Sequence, residues 1–437
     1  MKQYNTKRNS LCLCITTYKR WEVIKDFLER CASDYLDAGI DIYIFDSSDD
    51  NETKHVLNKW ENENKDRVYY IRMPSELHAN MKVYKIWQFY GMAKQYDFIW
   101  MSGDALQLSK HAIETIIENL KSDYDMIELD VFDRREIGYR LYTQPNELFI
   151  ENAWKMTLFG TVILNTQTFL SDVDWNYYET KYSQPRLINY SHVSFYFNRA
   201  AELKDFQCIR LPLFKETTGS KYKKESGWKR DTFSVICEGW VTTIKELPSV
   251  YSNKKAVIMD LGPNSILRNK YSFLNLKKDG IYNAHVFWKY FWTWKAVCNV
   301  KYRDLLIIAL TNKKNEKMIQ KLENFKLSYK IYIFKRKYRC LYLYGAGFVG
   351  ERYGKYLSQN GIEYEGYVVT KASDGRKILN DHKIIEIEEL KKNDDVGIVV
   401  AVSERLSGEV INQLKERGYK NQIYYNYELC NWLLYAE

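Results

Sequence analysis

Apolar positions fall in short continuous runs near the start of the chain, each closed by a polar turn and followed by residues spaced for a helix. "SLCLCITTY" predicts a strand; "RWEVIKDFLERCASDYLDAG" after it carries apolar residues at helical spacing and closes on glycine. "IDIYIFD", "RVYYIRM" and "DFIWMSGD" predict three more strands, with helices over "KHVLNKWENENK" and "NMKVYKIWQFYGMAKQY" between them. Repeated β-α-β units at this spacing predict an α/β fold with a doubly wound, mostly parallel sheet. In such a sheet ligands gather beyond the carboxyl ends of the strands. The sequence places Thr16, Thr17, Tyr18, Asp46 and Asp104 there.

The pattern changes twice further on. From 110 to 215 it is mixed: "YDMIELDVF", "FGTVILN" and "FQCIRLP" predict strands and "SHVSFYFNRAAEL" a helix, before a basic loop over 216–230. Residues 231–335 read as mostly helical. Their Trp- and Phe-rich stretch from 286 to 310 suits either core packing or a helix lying in a bilayer interface. At 339 a strand, a glycine-rich turn, a helix and a strand follow, with Gly345, Gly347 and Gly350 in G-x-G-x-x-G spacing. The second strand ends at Thr370, where a ribose-binding acid is expected, and Asp374 is the nearest substitute. These glycines serve either a ligand or tight strand-to-helix packing. Three domains are therefore expected: an α/β domain over 1–230, a helical, basic and aromatic 231–335, and a small Rossmann-like 336–437. The length of 437 residues accommodates them.

Composition narrows the partners. Lys and Arg number 65 against 56 Asp and Glu, a net charge of +9, and the excess collects in "TGSKYKKESGWKR" and "YKIYIFKRKYR". Such a surplus suits a polyanion, a diphosphate or an anionic membrane surface. The eight cysteines form no C-x-x-C pair and no Cys/His zinc spacing, which points to buried thiols in a reducing, cytoplasmic setting. No apolar run reaches the ~20 residues of a membrane span.

"YDFIWMSGDAL" runs from a strand into a small-residue turn ending on Asp104. A lone carboxylate there can cap a turn. It can also hold a divalent cation bridging two phosphates, because Mg²⁺ and Mn²⁺ prefer oxygen ligands. Its companions are "TTYKR" after the first strand, "FDSSDDNET" after the second and "HANMK" before the third helix. In the order of these motifs, residues 8–215 resemble the GT-A glycosyltransferases, particularly the family 2-like enzymes.

The resemblance implies a nucleotide site in which Thr16, Thr17 and Tyr18 line base and ribose with Arg20 nearby, and Asp46 accepts a hydrogen bond from the base. Lys82 stands near the donor, and Asp104 meets a Mn²⁺ or Mg²⁺ ion. Ser102 occupies the place of the first acid of the D-x-D motif, which leaves Asp104 as the acid for the metal. In "SHVSFYFNRAAEL" His192 aligns with the catalytic base, and Asp172 and Asp174 are the reserve candidates. Lys223, Lys224 and Trp228 form a loop that can close over a diphosphate or simply face solvent. The implied reaction is inverting transfer of a sugar from a nucleoside diphosphate donor, a UDP-sugar, to a hydroxyl of a glycan or lipid-linked glycan. The setting is surface polysaccharide assembly, capsule or cell wall, on the inner face of a membrane and without nucleic acid. Two other readings stand beside it: a non-catalytic scaffold of a synthesis complex, and a nucleotidyltransferase, although "TTYKRWEV" lacks the glycine-rich loop the latter needs.

Overall fold

A computed structural model describes residues 10–64, 66–93, 95–132, 138–217, 220, 222, 229–371, 377–390 and 393–435. The chain divides into two compact units, Met1–Ile266 with Trp292–Cys298, and Leu267–Phe291 with Asn299–Glu437. The helices over 231–335, expected as a separate extension, are divided between these two units.

The first unit holds an eight-stranded sheet of β1 (Leu11–Thr17), β2 (Asp41–Asp46), β3 (Val68–Arg72), β4 (Phe98–Gly103), β5 (Met126–Asp130), β6 (Arg140–Tyr142), β7 (Val162–Asn165) and β8 (Cys208–Pro212), in the order β3-β2-β1-β4-β7-β5-β8-β6. β1 lies parallel between β2 and β4, and β5 runs parallel to β8; β7 is antiparallel between β4 and β5, and β6 antiparallel against β8. Its helices include α1 (Trp21–Arg30), α2 (Ala32–Asp37), α3 (Glu52–Glu63), α4 (Ala79–Ala93), α5 (Lys110–Glu118), α6 (Pro145–Asn152), α7 (Trp175–Tyr182) and α8 (Ser191–Glu202).

The central strands are apolar throughout because both of their faces are covered. On one face Leu13, Ile15, Ile44 and Trp100 pack with Phe27 and Tyr35 of α1 and α2 and with Ile113 and Ile116 of α5. On the other, Trp87 of α4 stacks on Phe195 of α8 at 4.8 Å between ring centres. The helix expected over 21–38 is broken at Cys31 (φ −126°), next to Arg30, which reaches Gln107 at 2.6 Å.

The second unit carries a six-stranded sheet of β9 (Cys340–Tyr344), β10 (Gly366–Val369), β11 (Ile378–Leu379), β12 (His382–Glu386), β13 (Val396–Val400) and β14 (Ile423–Tyr424), in the order β11-β12-β10-β9-β13-β14. Its neighbouring strands are parallel except β11 on β12. Gly345 has φ +113°, and a Cβ there would lie 2.9 Å from the Ala401 carbonyl; a Cβ on Gly350 would lie 1.9 Å from the Gly345 carbonyl. Tight packing of turn on helix thus accounts for both glycines. Thr370 is engaged by the Tyr344 hydroxyl at 2.5 Å, and Asp374 lies outside the described residues. The stretch 286–310 is not one interfacial helix but the short helices Ala284–Lys289, Trp294–Val297 and Tyr302–Leu310, with Phe287, Trp294 and Leu305 buried. Among the described residues no helix is long and apolar enough to cross a membrane.

Candidate functional site

Strand register brings the polar residues of the first unit together. Thr17 of β1 stands opposite Asp46 of β2, and Thr16 opposite Gly103 of β4, so the carboxyl ends of three adjacent strands finish level. At the usual strand spacing, Asp46 and Asp104 are about 10 Å apart across β1. Ending the strands level is what lets two loops and a turn face one space.

Asp104 is 5% exposed. Its Oδ2 accepts from the Thr17 hydroxyl at 2.9 Å, and its Oδ1 lies 2.8 Å from the Arg20 guanidinium. The turn that presents it is held by Gly160. With φ +103°, this residue lies so close that a Cβ would sit 2.7 Å from Ser102 Oγ and 2.5 Å from Leu106 Cδ2. The indole of Trp100 donates to the Gly160 carbonyl at 2.9 Å from below.

Next to this acid lies a cationic face. Tyr18 is 48% exposed. The ammonium groups of Lys19 and Lys82 lie 5.5 and 5.7 Å from its ring centre. Lys82 is buried and donates to the Ser47 hydroxyl. Burial lowers the pKa of its ammonium, and the charge of Asp46 offsets part of that. Lys19 reaches Asp49 at 2.9 Å from its ammonium, and its backbone N–H donates to Ser48 Oγ at 2.7 Å. An exposed ring with two ammonium groups within about 6 Å of its centre can stack a base and help neutralise a diphosphate.

Asp46 departs from expectation. It is 0% exposed. Its Oδ1 accepts from the N–H and hydroxyl of Ser48 at 2.8 and 2.5 Å, and its Oδ2 from the Tyr70 hydroxyl at 3.0 Å, with Arg72 at 3.5 Å. In this arrangement it is buried and organises the loop after β2. Arg72 completes that loop by donating to the Asp50 carbonyl at 2.6 Å and to Asn51 Oδ1 at 2.8 Å. Ser48 and Arg72 were not anticipated. The polar end of "YYIR", level with "FDSS", was the available signal.

The three candidate bases separate. Because β7 runs antiparallel to β4, with Asn165 opposite Phe98, the loop that follows it begins at the amino end of the sheet. Asp174 caps α7 there by accepting from the Tyr177 N–H at 3.0 Å, and Asp172 sits in the same loop at φ +53°. Both are thus on the opposite edge from Asp104, a correction of their candidacy. His192 opens α8 near the right edge: its ring lies 4.3 Å from that of Phe159, whose Cβ is 3.9 Å from where a Gly103 Cβ would stand. It is 2% exposed, and no partner meets either ring nitrogen in ordinary hydrogen-bond geometry. Burial lowers its pKa to about 4, with the nearby backbone of Thr157 and Met156 acting the other way. Lys223, Lys224 and Trp228 lie outside the described residues.

A second buried polar group lies in the middle of β5. Glu128 of β5 is opposite Arg210 of β8, and both of its oxygens are buried without a hydrogen bond. Burial raises its pKa to about 8; Lys155 and Arg210 act against this, and Asp130 adds to it. Asp130 itself is paired with Lys155 at 2.6 Å.

The donor set tests the expected metal. Among the described residues no three His, Cys, Asp or Glu side chains converge. Asp104 is a single carboxylate facing Arg20 and Thr17, and Ser102 donates to the Gly103 carbonyl at 3.1 Å. This arrangement suits an ion that arrives on a diphosphate and takes one protein oxygen, not an ion caged by the protein.

No family model matches the chain, and no curated protein does. Among solved structures, similarity is found to a mannosyltransferase from Pyrobaculum calidifontis in complex with GDP-Man and Mn²⁺, at 11% identity and TM-score 0.38 over 70% of this chain and 86% of that one. It is also found to S. aureus TarS in complex with UDP, at 12% and 0.36 over 59% and 72%. A third is glucosyl-3-phosphoglycerate synthase from Mycobacterium tuberculosis with Mn²⁺, UDP and phosphoglyceric acid, at 9% and 0.36 over 55% and 80%. These structures are of glycosyltransferases, but similarities this slight do not place the chain in a family.

Proposed function

We propose that the first unit is a glycosyltransferase that moves a sugar from a nucleoside diphosphate donor, a UDP-sugar, to a hydroxyl of a glycan or lipid-linked glycan in surface polysaccharide assembly. The observation that carries this reading is the row of Thr17, Arg20 and Asp104 beside the Tyr18–Lys19–Lys82 face, at the level carboxyl ends of parallel strands. Tyr18 stacks the base, and Lys82, Lys19 and Arg20 neutralise the diphosphate as it leaves. Asp104 would be the residue to hold a Mn²⁺ or Mg²⁺ ion arriving with the diphosphate. The ion supplies further charge on the leaving oxygens.

Transfer with inversion forms the bond from the acceptor oxygen to the anomeric carbon as the bond to the diphosphate breaks, and the acceptor proton must go to a base. We assign that role to His192, the candidate at this end of the sheet. Its lowered pKa keeps it neutral and able to accept. A small opening of α8 away from Phe159 must expose it.

The test is hydrolysis and binding of UDP-sugars by the whole chain, with and without Mn²⁺. Asp104→Ala and Lys82→Met are each expected to slow hydrolysis about 10²-fold. Wild-type rates equal to those of both variants would refute catalysis and favour a scaffold.

A further inference from the structure

The helix Lys313–Lys335 of the second unit has two apolar faces. Leu327, Ile331 and Phe334, four and three residues apart, are buried. On the other side Phe325 (66% exposed), Tyr329, Tyr332 and Ile333 stand in solvent, with the rings of Phe325 and Tyr329 stacked at 5.9 Å. A helix with one face in a core ordinarily turns polar residues outward. Here the outward face is aromatic.

Charge identifies what would cover it. Lys326, Lys330, Arg336 and Lys337 are exposed along the same stretch, and no acid occurs in sequence between Glu323 and Glu351. Two of its lysines meet acids from elsewhere in the unit, Lys330 at 4.0 Å from Glu428 and Lys335 at 3.4 Å from Glu363. The rest of the row faces outward. A second copy bound through this patch about a two-fold axis would set one basic row against the other. An anionic lipid surface instead accepts both features, with rings at headgroup depth and ammonium and guanidinium groups reaching the phosphates.

We propose that the face formed by Phe325, Tyr329, Tyr332 and Ile333, with its basic row, docks on an anionic bilayer surface. The inference is independent of the chemistry assigned to the first unit.

The experiment is co-sedimentation of the full chain with phosphatidylcholine vesicles and with mixed phosphatidylglycerol–phosphatidylcholine vesicles, at low and high salt. The wild type is expected on the anionic vesicles alone, with binding weakened by salt. Phe325→Ser with Tyr329→Ser, and separately Lys326→Glu with Lys337→Glu, should each lower vesicle affinity about tenfold or more. All four positions are exposed, so circular dichroism and melting temperature should not change. A wild type that stays in the supernatant, or variants that sediment as well as it does, overturn the proposal. A wild-type dimer in sedimentation velocity that becomes monomeric in the aromatic variant also overturns it, in favour of a second copy.

Discussion

Glu128 and His192 are buried titratable groups whose shifts run in opposite senses. Glu128 has a native pKa of about 8 against 4.5 when unfolded. Between those values the native state holds a proton that the unfolded chain has lost, so this group's contribution to stability falls as pH rises through the window. Glu128→Gln mimics the protonated form. It should raise the melting temperature at pH 8 while changing little at pH 4, a difference of a few kcal/mol read from denaturation at the two pH values. His192 has a native pKa of about 4 against 6.5. The unfolded chain holds the extra proton between them, so stability is lost as pH falls through this range. If His192 is the base, the acid limb of kcat/KM lies near 4 rather than 6.5, and His192→Gln lowers kcat about 10²- to 10⁴-fold with donor affinity kept. If it merely packs on Phe159, the variant melts earlier and the limb does not move.

At the scale of elements, apolar runs with polar ends made β1, β2 and β4 readable, because strands buried on both faces leave polar residues room at their termini alone. Thr17 and Asp104 are legible for that reason, whereas Arg20, just before α1, and Lys82, within α4, enter only through the resemblance. The direction of β7 was not. "FGTVILN" has the same apolar pattern whichever way it runs, and its reversal carries Asp172 and Asp174 to the far edge. Nor did the acid of "FDSS" reveal that Asp46 would be consumed within its own loop by Ser48 and Tyr70, a matter of side chains meeting across strands. β6 is three residues long, with Arg140 at its start, and gives little signal at any period. The turn held by Gly160 offers a test of how an element positions the acid. Gly160→Ala adds a methyl group against Ser102 and Leu106 at a left-handed φ, a cost of about 1–3 kcal/mol. Because Ser102 belongs to the strand end that carries Asp104, calorimetry should show UDP-sugar affinity falling with the stability. A variant destabilised but binding as well as wild type would separate the turn from the site.

In the whole molecule each sheet has its own core, centred on Ile44 and Trp100 in one unit and on Ile398 and Val400 in the other. Each core can be lost in its own step, so thermal unfolding need not be two-state. Ile398→Ala, at a fully buried position of β13, should lower the second unit's transition by removing about 2–5 kcal/mol. That substitution labels which transition belongs to which sheet. A nucleotide bound at Tyr18, Lys82 and Asp104 stabilises the first unit by mass action, about 2.7 kcal/mol at a hundred times Kd. For a unit of this size that amounts to roughly 5–10 °C. UDP should therefore raise the transition that Ile398→Ala leaves in place. A nucleotide that instead moves the labelled transition binds the second unit, where the glycine turn at Gly345 and Gly347 would be its seat, and the donor site at Asp104 would be lost.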